Sequence, residues 1–143
     1  MIRQVFLIII FFSISESGFE KNHNGARSGS LGGAMTAERS DMWSISANPS
    51  GTADIGRLQF GISYTPQRFS ITEINSAEAA ACMPSRFGVF GCMVHCYGFD
   101  LYREMSLIFS YGVNLSGLSF GFNLNYYHLS IKKYGDAGTV GCD

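Results

Sequence analysis

The chain has 143 residues and a formal net charge of -1. That is one small domain by length, and no cluster of Lys and Arg stands ready to neutralise phosphates, which excludes nucleic acid as a main partner. Charged residues are only 15%, against roughly 25% in ordinary soluble domains, while 12 Phe, 7 Tyr and 17 Gly exclude a disordered tail and fit an all-β protein whose outer face is apolar.

Met1-Ile2-Arg3 is a short positive stretch, and Val5 to Phe12 is uninterrupted apolar sequence, extended by Ser13 and Ile14. Ser15-Glu16-Ser17 then offers small residues at the -3 and -1 positions before Gly18. This is the layout of a secretory signal peptide over 1–17. The apolar run is too short to span a bilayer as a helix, which takes about 20 residues, and the first cysteine, Cys82, is far from the cleavage site.

Residues 18–56 form a second unit. Glu20 to Asn24 is a polar lead-in. Gly25, Gly29, Gly32 and Gly33 leave little side chain, so the backbone can approach a neighbour closely. Leu31, Ala34, Met35 and Ala37 have weak helical spacing. Ser40-Asp41 is placed to cap a short helix from about Met42 through Trp43, Ile45 and Ala47. Pro49 ends it, since the residue before a proline avoids helical geometry, and Asn48-Pro49-Ser50-Gly51 reads as a turn. With the chain's only Trp, this stretch reads as a packed element.

From 57 to 143 the period becomes two. Leu58 to Thr65 alternates apolar with small or polar residues and reads as a strand closed by Pro66. Phe69 to Ala81 is Ala/Ser-rich and reads as a second strand or a longer loop. Arg86 to Tyr97 is strand-like on both faces. Met105, Leu107, Phe109, Tyr111, Val113 and Leu115 share one face, opposite Ser106, Ser110, Gly112 and Asn114, with Ile108 as the exception. Ser116-Gly117 turns the chain. Leu118, Phe120, Phe122, Leu124 and Tyr126 then alternate with Ser119, Gly121, Asn123 and Asn125. After a polar turn at Lys132–Asp136, Thr139 to Asp143 begins a further strand. The count is four to six strands.

No motif carries covalent chemistry. Ser44, Ser46 and Ser50 lack a nucleophile-elbow context, and His23, His95 and His128 have no paired acid at a catalytic spacing; the chain is not expected to be an enzyme. Cys92 and Cys96 lie about 13 Å apart on one strand, beyond disulfide reach, and His95 points away from both, so neither metal nor cofactor is expected. Asn114-Leu115-Ser116 matches a glycosylation sequon but falls in the tight turn.

No charge occurs from Ser106 through Ile131. A water-facing sheet surface normally carries Lys and Glu, whereas a membrane strand turns its apolar face to lipid and its small polar face to the lumen. Tyr102, Tyr126, Tyr127 and His128 resemble an interfacial aromatic girdle. The pattern favours an antiparallel transmembrane β-barrel in the outer membrane of a Gram-negative-type bacterium over a soluble exported β-sheet protein with a binding role. Spanning barrels need at least eight strands to remove their edges, so this chain is expected to supply part of a barrel, completed by a longer chain or by further copies.

Gly25-Ala26-Arg27, Leu31-Gly32-Gly33-Ala34, Ser40-Asp41 and Asn48-Pro49-Ser50-Gly51 together resemble the mature N-termini of the PorV/PorQ and FadL-like outer-membrane proteins. Ser50 stands where that family usually has Ala, and Asp41 is one acid where two are common. The resemblance implies that the N-terminal segment folds inside or against the barrel as a plug. The motif positions Gly25, Arg27, Gly32, Gly33, Asp41, Trp43, Asn48 and Pro49 would build the plug, with Ser119, Asn123 and Asn125 facing the lumen. It implies passage of hydrophobic small molecules, or service to secretion-machine proteins, with outer-membrane lipid as the surrounding partner.

Overall fold

A computed structural model describes Phe19, residues 25–66 and residues 70–143. The signal peptide read over 1–17, His23 and the start of the stretch from Phe69 lie outside the described residues.

Six strands, β1 (Gln59–Thr65), β2 (Asn75–Ser85), β3 (Gly88–Phe99), β4 (Tyr102–Leu115), β5 (Leu118–Ile131) and β6 (Gly135–Cys142), form one sheet in sequential order. Every neighbouring pair is antiparallel. The fold class is thus all-β, an up-and-down sheet with β1 and β6 as its edges, so the sheet is open. Tight turns make each connection except the one between β1 and β2. At the β4–β5 turn, Ser116 and Gly117 both adopt positive φ, the backbone that two-residue hairpins need, and Gly117 N donates to Asn114 Oδ1 at 3.0 Å.

The hairpin read at 105–126 is present and longer: β4 and β5 each have 14 residues. The Ala/Ser-rich stretch is a strand, β2, beginning at Asn75. Its alternation is hidden in sequence because Ala occupies both faces, yet Ser76, Glu78, Ala80 and Cys82 are buried while Ala79, Ala81 and Met83 are exposed.

One element falls where the sequence did not point. The glycine-rich start is helical, α1 (Gly25–Ser30), and the stretch with helical spacing from Leu31 to Ala37 is a series of turns. Tertiary contacts override local propensity here. Glu78 on β2 accepts from Gly25 N at 3.1 Å, and Arg27 pairs with Glu38 and, at 3.6 Å, with Asp41. The helix expected from Met42 is a single turn, α2 (Ser44–Ala47), and its N-cap is Trp43, which caps nothing with its side chain. Asp41 acts one step earlier, accepting from Trp43 N at 2.9 Å. Pro49 ends α2 and also starts a 3₁₀ helix, Pro49–Asp54, whose N-cap Asn48 accepts from Ser50 N at 3.2 Å.

These short elements lie across one face of the sheet. The buried apolar residues sit between them: Met35, Trp43, Ile45 and Ile55 from the segment, against Ala80, Cys82, Val89, Met93 and Ile108 from the strands. That core is small, and the face around it is polar.

Candidate functional site

The site is the contact between residues 25–54 and the face of the sheet they cover. That face carries polar positions of β1, β2, β4 and β5: Gln59, Glu78, Ser106, Ser110, Asn114, Ser119, Asn123 and Asn125. Polar side chains on several strands hold the segment. Gln59 Nε2 donates to Ser40 O at 3.1 Å, and Gln59 Oε1 accepts from Met42 N at 3.1 Å. Asn114 Nδ2 donates to Asp54 Oδ1 at 2.8 Å. Arg39 reaches Ser119 Oγ at 2.9 Å and Asp54 at 3.1 Å. Asn123, only 2% exposed, donates to Ile45 O at 2.7 Å.

Close approach is set from the strand side. Gly112 and Gly121 are direct cross-strand partners on β4 and β5. A Cβ on Gly121 would stand 2.8 Å from Pro49 Cβ and closer still to Ser50 N, and one on Gly112 would stand 2.9 Å from Ala53 N. The backbone of the 3₁₀ helix thus occupies the space that side chains would fill. Ile45 likewise fills the room left by Gly91 on β3, where a Cβ would meet Ile45 Cδ1 at 2.9 Å.

The motif residues separate by role. Gly25, at φ 74°, lies under Trp43, whose ring nitrogen is 2.8 Å from where its Cβ would be. Arg27 and Asp41 are the ion pair that closes α1 onto α2. Asn48 and Pro49 begin the 3₁₀ helix, and Asn48 Nδ2 also ties back to Thr36 O at 2.8 Å. Gly32 and Gly33 take positive φ in the turn after α1. Nothing lies within 4 Å of where a Cβ on Gly29 or Gly32 would sit, so of Gly25, Gly29 and Gly32 it is Gly25 that makes the close approach expected there. Ser119, Asn123 and Asn125 share the covered face. Asn125 Nδ2 donates to Asp143 at 2.8 Å. Ser110 Oγ, Asn123 Oδ1 and Asn125 Oδ1 are buried polar atoms without a hydrogen-bond partner among the described residues.

Glu78 and Glu104 on this face were missed in the sequence, and His95, expected there to have no paired acid, has Glu78 beside it. Glu78 and Glu104 are 6% and 4% exposed. His95 lies 3.8 Å from Glu78 and 3.1 Å from Ser76 Oγ. Serine and acid approach the same ring nitrogen, Nε2, whereas a nucleophile relay places them on opposite nitrogens. For the two glutamates the signal was a lone carboxylate on the covered face of β2 and of β4, which shows only once the strand faces are assigned.

The opposite face is apolar and bare. Phe60 and Ile62 are 78% and 80% exposed, and Phe90, Phe109, Phe120, Phe122, Leu124 and Val140 are also exposed. Of the four residues read as an aromatic girdle, Tyr126 and His128 lie on this side, stacked with centroids 6.5 Å apart. Tyr102 and Tyr127 point to the covered face instead. The first donates to Glu104 and the second packs on Phe19 with centroids 5.1 Å apart. They follow strict strand alternation, which puts neighbours on opposite sides. All four cysteines are free. Among the described residues no His, Cys, Asp and Glu group is placed to hold a metal, and no helix is long and apolar enough to cross a membrane. An open cavity of about 600 Å³, bordered by Glu73, Asp100, Arg103 and Lys132, lies at the strand ends away from the 3₁₀ helix.

Comparison with protein families, with curated proteins and with solved structures gave no match.

Proposed function

We propose that this chain is an exported outer-membrane protein whose strands cross the bilayer as part of a β-barrel, with residues 25–54 as the plug of a passage for hydrophobic compounds. The observation that carries this reading is the inverted polarity of the sheet. The face packed by protein holds Glu78, Glu104, Ser106, Ser110, Asn123 and Asn125, while the bare face holds exposed Phe60, Ile62, Phe90, Phe109, Phe120, Phe122 and Leu124. Leaving Phe60, Ile62, Phe109, Phe120, Phe122 and Leu124 in water forgoes about 1.5–3 kcal/mol each, a sum comparable with the roughly 5–15 kcal/mol that holds a whole domain together. Lipid removes that deficit. Length agrees: 14 residues rise about 46 Å, or about 33 Å when tilted by about 45°, close to the hydrocarbon thickness of about 30 Å.

Closure requires β1 and β6 to be paired, by further strands or further copies, because no edge survives in hydrocarbon. The segment on the polar face then fills the lumen, and its removal opens the path. The chemistry is passage, with no covalent step. Uptake of a hydrophobic fluorescent probe by cells carrying the protein in their outer membrane tests this. Deleting residues 25–54 is expected to raise uptake several-fold, and unchanged uptake with normal membrane insertion overturns the plug. The secretion role that the same resemblance implies is separated by co-purification of a secretion machine with the intact protein.

A further inference from the structure

A group of charges that the plug does not use lies at the end of the sheet away from the 3₁₀ helix. Glu73, Asp100, Arg103 and Lys132 border the open cavity of about 600 Å³. Acids and bases are both present, yet among the described residues none of these side chains forms an ion pair. Strand register accounts for the space between them. Asn75, Gly98 and Arg103 are direct neighbours across β2, β3 and β4, and Gly98 puts no side chain between the other two. Lys132 is fixed by its backbone, whose N donates to Leu101 O at 3.0 Å in the β3–β4 turn. The volume falls within the range of ordinary small-molecule sites, about 300–1,000 Å³.

Arg103 belongs to the bare face of the sheet, in phase with Met105, Leu107 and Phe109. Its partner Ser130 is the next residue on that face beyond His128. Along the bare face the order is therefore Phe122 and Leu124, then the Tyr126–His128 stack, then Arg103. A bilayer imposes the same order: hydrocarbon, aromatic interface, headgroup charge. Cations at that depth attract lipid phosphates. Carboxylates beside them accept charge-assisted hydrogen bonds from a primary ammonium. We propose that the cavity receives the headgroup of a phospholipid carrying both a phosphate and a primary ammonium, with its acyl chains along the exposed apolar face. Arg103 and Lys132 take the phosphate, and Glu73 and Asp100 take the ammonium. Cations alone would favour an anionic headgroup; the acids beside them favour one that brings its own cation. The inference rests on the membrane reading above and adds a lipid class to it.

The test uses the full chain, recovered from membranes in mild detergent and stripped of lipid. Dioleoyl phosphatidylethanolamine, phosphatidylcholine and phosphatidylglycerol are offered separately in mixed micelles, and retained lipid is measured by mass spectrometry. Phosphatidylethanolamine is expected to bind about five-fold more tightly than either of the others, on the scale of one charge contact at a lipid surface. Phosphatidylcholine has the phosphate but no ammonium N–H, and phosphatidylglycerol has no ammonium at all. Arg103→Gln should weaken phosphatidylethanolamine about five-fold. Glu73→Gln combined with Asp100→Asn should bring phosphatidylethanolamine down to the level of phosphatidylglycerol. Circular dichroism checks the strands, and Lys132→Gln, with the same expectation as Arg103→Gln, replaces it should that variant fail to fold. Equal binding of the three lipids overturns the proposal, as does binding that these substitutions leave unchanged. Complete displacement by soluble phosphoethanolamine overturns it too, since the cavity would then serve a free ligand. Equal binding by protein that inserts normally into vesicles removes the headgroup site alone, whereas failure to insert removes the membrane reading and this inference with it.

Discussion

Gly112 and Gly121 face each other across β4 and β5, and the backbone of Pro49 to Ala53 lies in the space where their side chains would stand. This pair decides how deeply the N-terminal segment sits. Gly121→Val places branched carbons against Pro49 and Ser50, and neither backbone can yield without lifting the 3₁₀ helix. Overpacking of this kind costs about 1–3 kcal/mol. The segment is expected to detach while the strands stay paired. Tryptic cleavage at Arg39 should accelerate about ten-fold with the strand signal in circular dichroism retained; an unchanged cleavage rate counts against the fit.

Asn123 links the sheet to α2 through Ile45 O. Asn123→Ala leaves that buried carbonyl unsatisfied and is expected to cost about 1–3 kcal/mol. Ser119→Ala removes a solvent-exposed hydrogen bond from Arg39 and should stay within about 0.5 kcal/mol. Urea midpoints of the detergent-solubilised protein measure both, and equal effects would contradict the ranking by burial.

Trp43 packs over Gly25 and belongs to the small core with Met35 and Ile45. Trp43→Ala is expected to destabilise by about 3–5 kcal/mol, a loss that urea unfolding in detergent measures. A loss under about 1 kcal/mol would show that the segment is held by its polar contacts alone.

Much of this was legible in the sequence, and the pattern of success is physical. The hairpin from Met105 to Tyr126 could be read because large apolar and small polar residues alternate with Ile108 as the exception, which fixes both period and face. At β2, Ala77, Ala79, Ala80 and Ala81 put the same side chain on both faces, so periodicity carried no information and the register came only from pairing with β3. The helix at Gly25–Ser30 runs against glycine's propensity and depends on Glu78, some fifty residues away. Trp43, Asn48 and Pro49 stood out by residue type. Glu104 did not, because a single acid among Tyr, Arg and Met gives no sign of burial until the strand faces are known.

The account turns on which solvent meets the apolar face. Leu124 lies near the middle of β5, on the bare side of the sheet. Leu124→Arg is expected to weaken insertion into lipid vesicles by about 2–4 kcal/mol, as for a cation at the midplane of a barrel. An equal insertion yield, measured by flotation, would count against a lipid-facing strand.

The most direct measurement is a nitroxide scan of residues 118–126 in reconstituted vesicles, with Cys82, Cys92, Cys96 and Cys142 replaced by Ala. Labels at Phe120, Phe122 and Leu124 are predicted to collide strongly with lipid-soluble oxygen and weakly with a water-soluble nickel reagent, while labels at Ser119, Asn123 and Asn125 do not show that preference. Strong nickel collision at Phe120, Phe122 and Leu124 would place the apolar face in water and contradict the account.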